Sequence, residues 1–514
     1  MPIRPFRSAA LVATTLASLA GGLGAQTPRL GTIVFPTSGP AAAQEQFLRG
    51  VLYMHSFEYA QAAAAFHRAQ EIAPDFAMAY WGEAMTHTHP LWNEQNLEAA
   101  RAVLARLAPT RAARLARAPT PRERAWLEAT EVLYGDGPKA RRDTLYAQTM
   151  ERLLAAHADD EAETFTALAL MGLSQSVRDI PTYMRAAVLA DEVFRSNPDH
   201  PGAAHYVIHA FDDPIHAPLG LRAARAYSGI APDAAHAQHM TTHIFLALGL
   251  WDDVVSQNNV AVRATAWVPG HYSHWLVYGE IQRGRWAEAR RVLETVHGNI
   301  QPDRQRQRTE LAFMRAHYLL ATDDWSGPVA RWTWEIPAGS LAARVDVFTR
   351  GYGAWRAGNR PGIERALTEL GAPDGDPIQR RKHGILERQL RALAQLEAGV
   401  TDEAVRLVRE AAAQEDSLPM EFGPPDVVKP SHELLGEVLL RAGRAADAQR
   451  AFSRALELAP GRSRALAGLV RAAAAAGDHE VARAAFARLE SNYRLADPAV
   501  RELAELRTLV VAGR

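Results

Sequence analysis

Cysteine is missing from this 514-residue chain. That excludes disulfides, thiolate zinc sites, iron–sulfur clusters, a cysteine nucleophile and a lipidated N-terminal cysteine. Lysine is nearly missing: of 57 basic residues, only Lys139, Lys382 and Lys429 are lysines. Lysine-centred chemistry therefore has three candidates, each needing a special environment. A charge excess is missing too. The 57 basic residues face 58 acidic ones, for a formal net charge of -1, so no global basic field exists to hold nucleic acid or an anionic membrane. No segment beyond the N-terminus approaches 18 uncharged apolar residues, and the mature chain is expected to be soluble, without a transmembrane segment. The phosphate-cradling and nucleophile motifs GxxxxGK[ST], GxGxxG and GxSxG do not occur. HExxH does not occur either, and His432–Glu433 has no second histidine after it. No catalytic residue and no organic-cofactor site is assigned.

What is present is globular: 48% hydrophobic and 22% charged residues. The chain begins with Arg4 and Arg7, an uncharged small-residue run from Ser8 to Gly24, and Ala25. This order of charge, apolar core and small residue is that of a secretory signal peptide, expected to be cut near Ala25. The run is too short and too weakly apolar for a comfortable span. Export without cysteine suits the periplasm or exterior of a bacterium.

Two distant segments share one spacing. Gly50, Tyr53, Ala62, Phe66, Ala69 and Pro74 are separated by 3, 9, 4, 3 and 5 residues, and so are Gly436, Leu439, Ala448, Phe452, Ala455 and Pro460. A third copy runs through Leu466, Ala473, Ala482, Phe486 and Leu489. Small residues let two antiparallel helices approach, large ones fill between them, and proline ends the second helix. The spacing resembles the tetratricopeptide repeat, a 34-residue helix–turn–helix unit. GLWDDVV (249–255), GRWAEAR (284–290) and GVTDEAV (399–405) look like turns of degenerate copies. The expected fold is all-α: a tetratricopeptide-like solenoid of roughly 13 hairpins, superhelical or nearly closed into a ring. Insertions are expected at the Pro-containing connections 109–121, 135–143, 371–380 and 415–430. The resulting organisation is a signal peptide at 1–25, a linker at 26–42, a degenerate array at 43–420, a Pro-rich connection at 421–430 and clear repeats at 431–514. The phrases at 76–92, 201–227, 236–253 and 429–440 resemble a group of exported bacterial tetratricopeptide-like proteins. That resemblance implies fold and export. The wider family implies a protein or peptide ligand in the concave groove, lined by the first helix of each pair.

Nine of the 19 histidines fall between 200 and 274. His205 and His209 are i, i+4, and so are His239 and His243, a spacing by which two imidazoles on one helix can grip one metal ion. His236, His239 and His243 form a stripe about 10 Å long at 1.5 Å per residue, too long for one ion. The metal expectation is a divalent transition ion such as zinc on His205, His209, His239 and His243, with Asp212, Asp213, His236, His271 and His274 as further donors. The alternative for the same residues is hydrogen bonding inside a polar lumen. Asp212 and Asp213 precede Pro214, where a helix end and turn is the simpler expectation. A ligand groove is expected from His55, Glu83, His87, Trp267, Trp275, Tyr278, Lys429 and His432, with segment 420–437 either inserted into the concave face or lying outside as a spacer. Two functions follow: an interaction scaffold, or a metal-binding protein or metal-dependent hydrolase.

Overall fold

The computed structural model describes residues 27–174, 179–301 and 303–512. The signal-peptide region lies outside the described residues. Among these residues there are 25 α-helices, and the only strands are the two-residue pair Thr88–His89 and Glu94–Gln95. Most consecutive helices form antiparallel hairpins, from Ala41–His55 with Tyr59–Ile72 through Ser463–Ala476 with His479–Asn492. Arg111–Ala116, Gln305–Thr322 and Glu502–Ala512 stand outside such hairpins, which is why the array falls short of 13 pairs. No helix of the described residues is long and apolar enough to cross a membrane.

The repeated spacing has a packing cause. A Cβ on Gly50 would lie 2.6 Å from the Phe66 ring, and one on Gly82 in the next hairpin 2.3 Å from it. The C-terminal copy repeats this: Gly436 and Gly468 would meet Phe452 at 2.6 and 2.2 Å. One buried phenylalanine is thus wedged between two glycine-bearing helices, its own partner and the following one. Without a Cβ at either glycine, the backbones close on the ring at interior packing density. The turns read from GLW, GRW and GVT hold Gly249, Gly284 and Gly399 at φ of 70°, 67° and 78°, in the left-handed region. The second helices start just after them, at Trp251, Trp286 and Thr401.

The array closes on itself twice. In the N-terminal half, residues 27–40 run back over later hairpins. Thr32 N–H donates to Asp199 O at 2.9 Å and Arg29 N–H to Asp233 at 2.7 Å. Helix Ala41–His55 packs on helix Pro201–Ala210. In the C-terminal half, Trp251 Nε1–H donates to Gly461 O at 2.9 Å, Ser463 binds Gln282 through backbone and hydroxyl, and Asp497 N–H donates to Gly284 O at 3.0 Å. The helices between residues 200 and 282 belong to both closures, and they carry the histidines.

Segment 420–430 runs along the inner helices. Gly423 lies against the Trp275 indole, where a Cβ would come within 2.4 Å, and Pro425 O accepts a hydrogen bond from His317 Nε2 at 3.1 Å. Val427, Val428 and Lys429 are buried, and Gln389 Nε2 donates to Lys429 O at 2.7 Å. Of the two placements expected for this segment, it takes the inserted one.

Candidate metal centre

Three helices bring six imidazoles together: Pro201–Ala210, Ala235–Ala247 and His271–Gln282. The first contributes His205 and His209, whose Nε2 atoms lie 3.0 Å apart. The second contributes His236, His239 and His243, with His239 and His243 Nε2 atoms 3.2 Å apart. His271 comes from the first turn of the third helix. The stripe on the second helix is shared out, as its length requires: His236 joins His205 and His209, while His239 and His243 join His271. Within each triad the donor nitrogens lie within 4.8 Å of one another.

Hydrogen bonds decide where the protons are. His205 Nδ1–H donates to His55 O at 2.6 Å. His239 Nδ1–H donates to Asn258 Oδ1 at 2.8 Å, and that amide's orientation is set because its Nδ2 donates to Val254 O at 2.9 Å. His243 Nδ1–H donates to Asp212 Oδ2 at 2.5 Å. Burial pushes the pKa of His205 down to about 3 and that of His239 well below the usual imidazole range, so both are neutral with their one proton on Nδ1. Their Nε2 lone pairs are bare and directed at His209 and His243. Each accepts a hydrogen bond where the neighbour's Nε2 carries a proton, and where both Nε2 atoms are bare, at about 3 Å, they repel. The His239–His243 contact becomes attractive when His243 Nε2 carries an extra proton or when both nitrogens share a cation. Zinc–nitrogen bonds of about 2 Å in tetrahedral geometry separate two ligand nitrogens by roughly 3.3 Å. His236 Nε2 is buried without a hydrogen-bond partner among the described residues, and burial pulls that ring well below the ordinary range as well. His271, also held down to about 3 by burial, is neutral. Donors anchored through Nδ1 to a carbonyl, an amide or a carboxylate form the outer shell that orients metal-bound histidines.

The walls are aromatic. Phe57 lies 4.3 Å from His205 between ring centroids, Trp275 4.4 Å from His243 and Tyr272 4.7 Å from His239. Partial exposure of His271 leaves one edge open to solvent.

Two expected donors lie elsewhere. Asp213 caps the turn before helix Ala217–Ile230: its carboxylate accepts from the backbone of Ile215 and His216 and lies 2.7 Å from His216 Nδ1. His274 faces away from the triads, bonded to Glu310 at 3.1 Å and to His317 at 3.0 Å. Three residues on from His271 the helix has turned about 300°, and the remaining offset of about 60° sets His274 beside helix Gln305–Thr322, which carries Glu310 and His317.

The expected groove residues are packed inside the wall or engaged with near neighbours. Trp275 sits among the triad histidines. Tyr278 Oη accepts from Arg462 at 2.5 Å, and Lys429, 1% exposed, pairs with Glu433 and Glu437 at 2.7 Å each. Glu83 pairs with Arg106 and Gln70, His432 with Asp416 at 3.0 Å, and Trp267 packs at the edge of the core with φ of 55°. His87 follows helix Ala77–Met85, half-buried and lowered in pKa by that burial.

His55 belongs to a cluster that sequence reasoning did not find. Its Nε2–H donates to Glu161 at 2.8 Å, and His200 Nε2 lies 3.2 Å from the other oxygen of that carboxylate. All three are fully buried. His200 is also the cap of helix Pro201–Ala210, its Nδ1 accepting the Ala203 N–H at 3.1 Å. Burial works against the Glu161 carboxylate, yet His55 and His200 outweigh it and hold its pKa down to about 2. Glu161 sits 106 and 39 residues from its partners, so no local spacing announces it.

Residues 439–506 match the tetratricopeptide repeat family model. Among solved structures, the chain is similar to yeast Tom70 (11% identity, 92% of this chain and 95% of that one, TM-score 0.30). It is also similar to a human IFIT1 dimer with m7Gppp-AAAA (13% identity, 90% and 91% covered, TM-score 0.38) and to the Cut9–Hcn1 hetero-tetramer (10% identity, 92% and 97% covered, TM-score 0.29). No curated protein sequence matches it. The molecule is a tetratricopeptide-like α-solenoid, an architecture of interaction scaffolds, with its matched repeats in the C-terminal part.

Proposed function

We propose that this protein is an exported interaction scaffold whose inner wall holds a transition-metal centre in the two histidine triads. The carrying observation is the proton arrangement. His205 and His239 are neutral, protonated on Nδ1 by their hydrogen bonds, and present bare Nε2 atoms about 3 Å from the Nε2 of His209 and His243. Neutral imidazoles oriented this way are ready ligands, and imidazole donors suit zinc, copper, iron and nickel. The scaffold part is supported by the matched repeats and hairpin stacking, export by the first 25 residues. The test is elemental analysis of protein purified without chelator and without a histidine tag, followed by titration with zinc and copper. Stoichiometric metal that falls in the His239→Ala/His243→Ala variant supports the reading. Protein that stays metal-free throughout titration removes it.

A second reading concerns the ligand of the scaffold. Segment 420–430 is held through its backbone carbonyls at Pro425 and Lys429 and through Gly423 against Trp275. An extended partner segment would be held by the same chemistry. Replacing 421–426 with a Gly/Ser linker and adding the peptide EFGPPDVV in trans tests this. Saturable binding supports it, and no binding to a folded variant rejects it.

A further inference from the structure

The two triads are neighbours as well as copies. Ring centroids of His209 and His243 lie 5.9 Å apart, and those of His236 and His239 6.3 Å. Inside the triads the separations run from 4.5 Å (His239–His271) to 5.9 Å (His243–His271). The gap between triads is therefore about as wide as the gaps within them. Two ions, each held by one triad, would be near neighbours, the arrangement of two-metal sites.

Charge and donor type narrow the occupant. The inner donors are all imidazole. The adjoining carboxylate, Asp212, meets the centre through His243 Nδ1. Magnesium, calcium and manganese prefer oxygen donors, and copper heads the divalent affinity order for nitrogen sites. Two divalent ions on six imidazoles would bring several positive charges into a mostly buried site, against Asp212 at His243, Glu58, which accepts the His236 backbone N–H at 3.2 Å, and Glu310 near His271. A bridging anion between the ions would offset part of that charge, since burying unpaired charge is costly.

We infer that the six histidines form one dinuclear copper centre, one ion per triad, bridged by a small oxygen or nitrogen anion such as hydroxide or azide. This rests on the metal-centre reading above and adds nuclearity, metal and ligand class to it. The walls of Phe57 and Trp275 confine the bridge, and the partly exposed His271 marks the edge by which a small anion enters.

The test loads the full chain with Cu(II) and measures copper per chain together with the integrated electron paramagnetic resonance signal. Two coupled Cu(II) ions give two copper per chain and almost no signal. Azide should then bind at about one per two copper and change the absorption spectrum. His205→Ala/His209→Ala should lower copper to one per chain and bring the signal to about one spin per chain. His239→Ala/His243→Ala should do the same, and the single His271→Ala variant, at the partly exposed edge, serves if a double variant does not fold. Two copper per chain with full signal, or one copper in the wild type, overturns the dinuclear inference and leaves the metal-centre reading intact. No retained metal of any kind overturns both.

Discussion

Two clusters a few ångströms apart, both touching helix Pro201–Ala210, come to opposite chemical ends. In the Glu161 cluster, His200 uses Nδ1 to accept the Ala203 N–H, so its proton sits on Nε2, 3.2 Å from the carboxylate. His55 likewise donates Nε2–H to Glu161. Both inward nitrogens there carry a proton and flank the carboxylate, one as a hydrogen bond and one at ion-pair distance. In the triads, Nδ1 donates outward to a carbonyl, an amide and Asp212, and the inward Nε2 is left bare at His205 and His239. Both clusters bring three donors within 4.8 Å of one another. The direction of one outer hydrogen bond separates a structural ion-pair network from a ligand set.

The sharpest way to break this comparison is to empty the inner donors. His239→Ala/His243→Ala should abolish metal at that triad, measured by elemental analysis, while His200→Asn leaves the metal content unchanged. Next in size is Glu161→Ala, which strands two buried imidazoles and should cost about 3–5 kcal/mol in chemical denaturation with no loss of metal per folded chain. If Glu161→Ala releases the metal instead, the division between the clusters fails. Third, Asp212→Asn keeps the shape but weakens the anchor of His243, and metal affinity should fall about 10–100-fold in a competition titration.

The smallest effect per group is with pH. His205, His236, His239 and His271 have folded pKa values below their unfolded value of about 6.5. Above that pH neither state binds the proton, and stability is flat. As pH falls below it, the unfolded chain takes up protons that the folded chain refuses. Stability of the metal-free protein should therefore drop by about 1.4 kcal/mol per pH unit for each such imidazole, down to a pH of about 3 for His205 and His271. Glu161 adds a separate loss lower down, because its depressed pKa contributes stability above about 4 that disappears as pH falls toward about 2. Unfolding midpoints measured from pH 8 to 4 on wild type and on His239→Ala check the slope, which should be shallower in the variant.

The fold was legible where one ring and two glycines must meet at fixed offsets: Gly50–Phe66 and Gly436–Phe452 force the same count of residues wherever they recur. The i, i+4 histidine pairs were legible for the same reason, since one helix places both donors. What crossed between helices was not. The partition of His236 from His239, the turning of His274 toward His317, and Glu161 beneath His55 all depend on which hairpin lies beside which. Asp213 followed the local rule for a residue ahead of Pro214, and its neighbour Asp212 became the anchor of His243.

The double closure has a mechanical meaning for this molecule. In an open stack of repeats, either end can fray, and the loss of one unit costs only its two borders. Here the segment at 27–40 is tied to the hairpins near 199 and 233, and the turns at 461 and 497 are tied to those at 251 and 284. The helices from 200 to 282 are clamped from both directions, so fraying would have to undo a knot of contacts before it reached the imidazoles. That makes this stretch the last to exchange its amide hydrogens.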